Sequence, residues 1–237
     1  MDNWMILIFI VFFTSLLQSS TGFGFSIVGT PFLLLIYPPQ SAIQINIILS
    51  LCLSIIMIYK IKNEVNYPLL KKLVLGSLIG IVPGLLMYLF LNMDIFKVIV
   101  GVLIIILTIL LFAKVTIRQT DKRDFAAGTM SGLLTTSIGV PGPPLLLYFS
   151  STSMDKMTLR STTLAYYLFI YLVSLIMQVS FGGSYLEVWT SSLIALIPLL
   201  AGIILGQLLF KRINQRVFRM ITYVILLFTG FYMLVAS

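Results

Sequence analysis

The chain has 237 residues, of which 59% are hydrophobic and only 9% charged, against roughly 25% charged in a soluble domain. It has no His, and its single Cys, Cys52, sits inside an apolar run, which excludes zinc sites, imidazole acid/base catalysis and disulfide frameworks as the basis of function. The formal charge of +8 is carried at the ends of apolar runs, not gathered on one face with aromatic readers, so it reports membrane topology and excludes nucleic-acid binding.

In chain order the apolar runs fall at about 4–17, 23–37, 41–59, 73–91, 95–113, 125–150, 158–181, 188–210 and 217–235. Runs of about twenty residues match a ~30 Å hydrocarbon layer at 1.5 Å rise per residue. Six of them, from 41, 73, 95, 158, 188 and 217, are therefore full crossings. The amino-terminal Met1-Asp2-Asn3-Trp4 lacks a basic n-region and a small-residue cleavage signal, so it reads as a retained membrane segment. Regions 4–37 and 125–150 are interrupted by glycine and proline, and their pieces are short for a crossing.

Basic residues mark the cytoplasmic side. Lys60, Lys62, Lys71 and Lys72 place one connection inside, as do Lys114, Arg118, Lys122 and Arg123 at mid-chain and Lys211, Arg212, Arg216 and Arg219 late in the chain. The turns at 92–94 and 182–187 are poor in basic residues and face outward. Residues 1–40 must then begin and end outside, and residues 124–157 must begin and end inside. Each is a broken hairpin, re-entrant or stretched to span, and both chain termini are expected on the extracytoplasmic side.

The expected fold is an all-α polytopic membrane protein of two inverted repeats, 1–118 and 119–237. Each repeat is a broken hairpin plus three transmembrane helices, about eight membrane segments in all, an architecture common among secondary transporters. Thr30-Pro31-Phe32-Leu33-Leu34-Leu35-Ile36-Tyr37 resembles Pro143-Pro144-Leu145-Leu146-Leu147-Tyr148, Ile95-Phe96-Lys97-Val98-Ile99 resembles Val217-Phe218-Arg219-Met220-Ile221, and Pro83-Gly84-Leu85-Leu86 lies opposite Ala201-Gly202-Ile203-Ile204.

Chemistry concentrates in the hairpin tips. The first carries Gln18, Ser19, Ser20, Thr21, Gly22 and Gly24, and the second Thr135, Thr136, Ser137, Gly139, Pro141 and Gly142. Non-helical backbone at membrane depth is tolerated where protein or a watery cavity satisfies it. A half-helix starting there offers free N–H groups and the positive end of its dipole, an anion site without a charged side chain. Asn46 and Thr162 fall at matching positions early in the crossing after each hairpin, where a side chain can face the tips. Gly76, Gly80, Gly84, Gly202 and Gly206 recur at four-residue spacing and read as helix-packing positions. Arg160 reads as an interfacial anchor that can also attract an anion, and Trp4, Tyr59, Tyr185 and Trp189 as interfacial anchors.

No charged residue lies mid-span, which disfavours a cation carrier built on a buried carboxylate. No acid/base pair or metal-ligand set points to an enzyme, and no cofactor or metal is expected. The expected partners are a small anion and the lipid bilayer. A cation-coupled small-solute symporter, an anion channel and a scaffold subunit are the competing classes.

The tips Gly22-Phe23-Gly24-Phe25 through Pro31, and Gly132-Leu133-Leu134 through Gly139-Val140-Pro141-Gly142-Pro143-Pro144, resemble the two repeated signatures of the TauE/SafE family of sulfite-exporter-like transporters, and the similarity spans essentially the whole chain. The resemblance implies a carrier in the plasma (inner) membrane of a bacterium or archaeon for small sulfur-containing anions such as sulfite, sulfonates or sulfoacetate. It also implies that Gly22, Gly24, Pro31, Gly139, Gly142 and Pro144 flank the substrate. The chain departs from the family pattern in having fewer consecutive glycines, with Thr30 before Pro31 and prolines on both sides of Gly142.

Overall fold

A computed structural model describes residues 2–21, 24–61, 64–90, 119–149 and 154–210, with isolated positions between 95 and 109 and at 227 and 231. The described residues form eight helices and no strands: α1 (Asp2–Thr21), α2 (Phe25–Leu33), α3 (Pro39–Ile61), α4 (Tyr67–Phe90), α5 (Asp121–Ile138), α6 (Gly142–Phe149), α7 (Lys156–Gly182) and α8 (Leu186–Phe210). Four of them, α3, α4, α7 and α8, hold stretches long and apolar enough to cross a membrane. The crossings expected at 95–113 and 217–235 lie largely outside the described residues.

Local chemistry sets the helix ends. Pro39 opens α3, where a missing N–H costs nothing, and the amide of Ala42 donates to the Pro38 carbonyl at 2.8 Å. The Asn66 side chain accepts from Leu69 N at 3.1 Å to cap α4. Asp155 accepts from Met157 N at 2.9 Å to cap α7. Thr120 caps α5. Buried Asp124 lies in that helix's first turn, held by Tyr148 Oη at 2.5 Å and Lys72 Nζ at 3.4 Å. A carboxylate there also favours the helix dipole.

Both interrupted regions are helix–break–helix. Helix α1 runs twenty residues to Thr21 and α2 only nine; α5 runs eighteen and α6 eight. The second break is therefore shorter than the sequence suggests. Residues 131–138 are helical, and only Gly139, Val140 and Pro141 are not.

Helices α3 and α7 pack against each other, α1 packs along α8 and α4 along α5. Contacts recur in exchanged pairs: α1 with α8 as α5 with α4, α3 with α8 as α7 with α4, and α1 with α2 as α5 with α6. The long seams are made of small residues. A Cβ on Gly76 or Gly80 would land on the carbonyl oxygen of Phe125 or Thr129, and one on Gly84 would lie 2.5 Å from Leu133 O. Across the other seam, a Cβ on Gly202 would lie 2.5 Å from Phe12 O, and one on Gly206 2.6 Å from Leu16 O. These glycines let backbones touch where apolar burial supplies no drive in lipid. The close approaches of Gly80 and Gly84 on α4 recur in those of Gly202 and Gly206 on α8.

The faces turned away from these seams are apolar and exposed, including Leu75, Ile79 and Val82 on α4 and Leu193, Ile197 and Ile204 on α8. They suit lipid. Trp4, Tyr59, Tyr185 and Trp189 are exposed near helix ends, where aromatic anchors belong.

Candidate functional site

The two breaks come together against α3 and α7. Gly24 takes φ 123°, a conformation open to glycine, and starts α2 with the amide of Val28 donating to its carbonyl at 3.0 Å. The Phe25 amide, in the first turn and so without an intrahelical acceptor, donates to Gln18 Oε1 at 2.7 Å. Gln18 is fully buried, and its Nε2 has no partner among the described residues. Thr30 Oγ1, inside α2, is likewise buried without one.

At the second break Gly139 is left-handed with φ 74°. Its amide donates to Thr135 O at 2.8 Å, and that of Val140 to Leu134 O at 3.3 Å. This is a left-handed glycine cap, which consumes the Gly139 N–H. Gly139 therefore turns the chain but has no amide to offer a guest. Pro143 and Pro144 sit in the first turn of α6, where two N–H groups are missing from the start. Donors belong mainly to the first tip.

Asn46 stands between the second break and the middle of α2. Its Nδ2 donates to Gly139 O at 2.9 Å, and its Oδ1 lies 3.1 Å from where a Cβ on Gly29 would stand. The carbonyl of Gly139 fixes which way the amide points, since the flipped form would set oxygen against oxygen. Gly142 faces Ile27 of α2, whose Cδ1 would lie 2.9 Å from an added Cβ, and the Tyr167 hydroxyl at 3.1 Å. The Tyr171 hydroxyl is buried without a hydrogen-bond partner among the described residues. The result is a buried, polar and largely uncharged centre between the start of α2 and the turn 139–142.

Of the residues expected at the tips, Gln18, Gly24, Asn46, Gly139, Pro141 and Gly142 gather here. The Pro141 carbonyl accepts from Ser131 Oγ at 2.8 Å. Pro31 is buried within α2, and Pro144 is half-buried in α6. Ser19, Ser20, Thr135, Thr136 and Ser137 are helical, and their hydroxyls are engaged. Ser19 Oγ reaches Gly202 O on α8 at 3.3 Å, and Ser20 Oγ bonds Leu16 O. Thr135 bonds Ser131 O at 2.6 Å, Ser137 bonds Leu133 O at 2.7 Å, and Thr136 pairs with Ser174 at 2.8 Å.

Thr162 does not face the tips. Its hydroxyl donates to Thr158 O at 2.7 Å and accepts from Asn66 N at 2.9 Å, holding the connection between α3 and α4. The Thr21 side chain and Gly22 lie outside the described residues.

Helix α7 reaches each hairpin with one long side chain. Arg160 donates to Ser19 O at 2.6 Å, and Gln178 Nε2 to Thr136 O at 2.8 Å. The two are eighteen residues apart, about 27 Å along the helix, so α1 and α5 are capped from opposite ends of α7. Sequence reasoning missed Gly29, Tyr167 and Tyr171. A usable signal was present in Tyr166, Tyr167 and Tyr171, which sit within a span, whereas tyrosine usually gathers at membrane interfaces.

The family model for sulfite exporter TauE/SafE matches residues 7–233, nearly the whole chain. The chain belongs to the TauE/SafE family. No curated protein and no solved structure gives a match. TauE/SafE membership together with the long apolar helices makes this a multi-pass membrane protein of a transporter family. Among the described residues no group of His, Cys, Asp or Glu could hold a metal ion.

Proposed function

We propose that the protein is a secondary transporter of small anions, sulfur-containing oxyanions such as sulfite, sulfonates or sulfoacetate, in the plasma membrane. The convergence of the two helix breaks carries this reading. Gly142 stands against Ile27 at the start of α2, and Asn46 spans from Gly29 to Gly139. Broken helices meeting inside a bundle, with a helix start at the junction and, among the described residues, no carboxylate beside the breaks, suit an anion. Gly24, Gly139 and Gly142 frame the site, and Gln18 and the start of α2 supply its donors.

Alternating access follows from a two-fold arrangement. Residues 1–118 and 119–237 form inverted repeats, a reading supported by the exchanged helix pairs and by the matched glycine seams. Rocking one half against the other would open the breaks first to one face and then to the opposite one. In purified proteoliposomes, radiolabelled sulfite or a simple sulfonate is expected to show saturable uptake that is accelerated by the same anion on the far side. Uptake of no small oxyanion would refute the reading. Ion currents far above carrier turnover would assign a channel, and an absolute requirement for sodium would assign a cation-coupled symporter.

A further inference from the structure

We propose that Arg160 is the charge-selecting residue of the anion site, held on the carbonyl of Ser19 and delivered from there to the bound anion. The proposal rests on the anion-transport reading above and names the residue that discriminates charge.

Ser19 lies in the last turn of α1, where carbonyls have no intrahelical donor and the helix dipole is negative. The Arg160 guanidinium donates to that carbonyl at 2.6 Å. One residue back, the Gln18 carboxamide is fully buried at the start of α2, with its oxygen on the Phe25 amide and its Nε2 without a partner among the described residues. A buried donor left unmade is costly, so its persistence at this spot points to an acceptor that arrives from outside the chain.

The acceptor belongs on the first hairpin, because the second spends its Gly139 amide on a cap and has proline at 143 and 144. An oxyanion at Gln18 Nε2 and the first turn of α2 lies one residue along α1 from the Arg160 contact. The guanidinium then exchanges a neutral carbonyl for an anionic oxygen pair, for which its planar fork is suited. A neutral solute offers no such gain. The contact sits on the second half's helix α7 and the first half's helix α1, so the same exchange loosens one tie between the halves as the anion binds.

The test uses the full chain in proteoliposomes with labelled methanesulfonate, comparing wild type, Arg160→Gln and Arg160→Lys, with each protein's thermal unfolding recorded with and without the anion. Arg160→Gln is expected to raise KM at least 30-fold and to lose the anion-induced rise in Tm. Arg160→Lys, which keeps the charge but not the fork, should raise KM about 5-fold with kcat within 2-fold of wild type. A wild-type KM in Arg160→Gln would overturn the proposal. Should that variant fail to fold, an unchanged KM in Arg160→Lys would overturn it equally. If wild type itself transports no oxyanion, the functional reading fails first. Transport by wild type with indifference to Arg160 refutes this inference alone.

Discussion

Gly80→Leu is expected to yield no folded transporter. Any Cβ at Gly80 would fall on the Thr129 carbonyl oxygen and 2.7 Å from the Leu133 amide. Both are backbone atoms of α5 and cannot swing aside. The helices must separate, and separation breaks the neighbouring close approaches of Gly76 and Gly84 and of Gly128 and Gly132 on the facing side. Overpacking of ordinary cores costs about 1–3 kcal/mol; a clash with main chain along a whole seam is expected at or above the top of that range. Gly80→Ala should already lower Tm markedly. Ile79→Ala, one residue away on an exposed face, should leave it within a degree or two. Thermal unfolding followed by fluorescence-detected size exclusion checks all three, and a wild-type Tm in Gly80→Ala would show that the α4–α5 approach is looser than described.

Asn46→Asp is expected to abolish transport near neutral pH and to recover part of it in acid. The wild-type amide donates to Gly139 O at 2.9 Å from a fully buried position. A carboxylate in its place would set two oxygens together and bury an unpaired charge, a cost of several kcal/mol. Burial without a cationic partner raises the carboxyl's pKa. The protonated acid can donate to Gly139 O as the amide does. Protonation restores the bond, so activity should rise as pH falls below the raised pKa and vanish above it. Uptake of methanesulfonate, which stays anionic throughout, is expected to fall at least 100-fold at pH 7.5 and to recover 10-fold or more near pH 5. Asn46→Leu, of similar size and unable to donate, should stay inactive at both. Wild-type uptake by Asn46→Leu would show that the bond to Gly139 is dispensable.

The membrane class, the positions of both helix breaks and the packing role of the spaced glycines were legible because each depends on composition or on local backbone preference. Gly24 and Gly139 interrupt helices where the sequence reading put the tips, and both take positive φ. What local reasoning could not resolve was direction around each helix. Ser19, Thr136 and Thr162 are polar residues close to the breaks in sequence, yet their hydroxyls serve α8, α7 and the connection after α3. A difference of one residue turns a side chain by about 100° about the axis, and that angle depends on neighbours distant in sequence. Asn46 was found because its position early in α3 brings it level with the tips. Tyr167 and Tyr171 were missed because aromatics were considered only as interfacial anchors. The proline pair after Gly142 was visible in the sequence. Its meaning, that the second tip is poor in amide donors, emerged only when α6 was seen to begin at Gly142 itself.

The account depends on the start of α2 being an anion site reachable from both sides of the membrane. Ser26, buried in the first turn of α2, reports on it when replaced by Cys in a Cys52→Ala background and treated with an impermeant thiol reagent from one face at a time. Labelling from each face, slowed in both cases by methanesulfonate, is the predicted result. Labelling confined to one face and indifferent to the anion would contradict it.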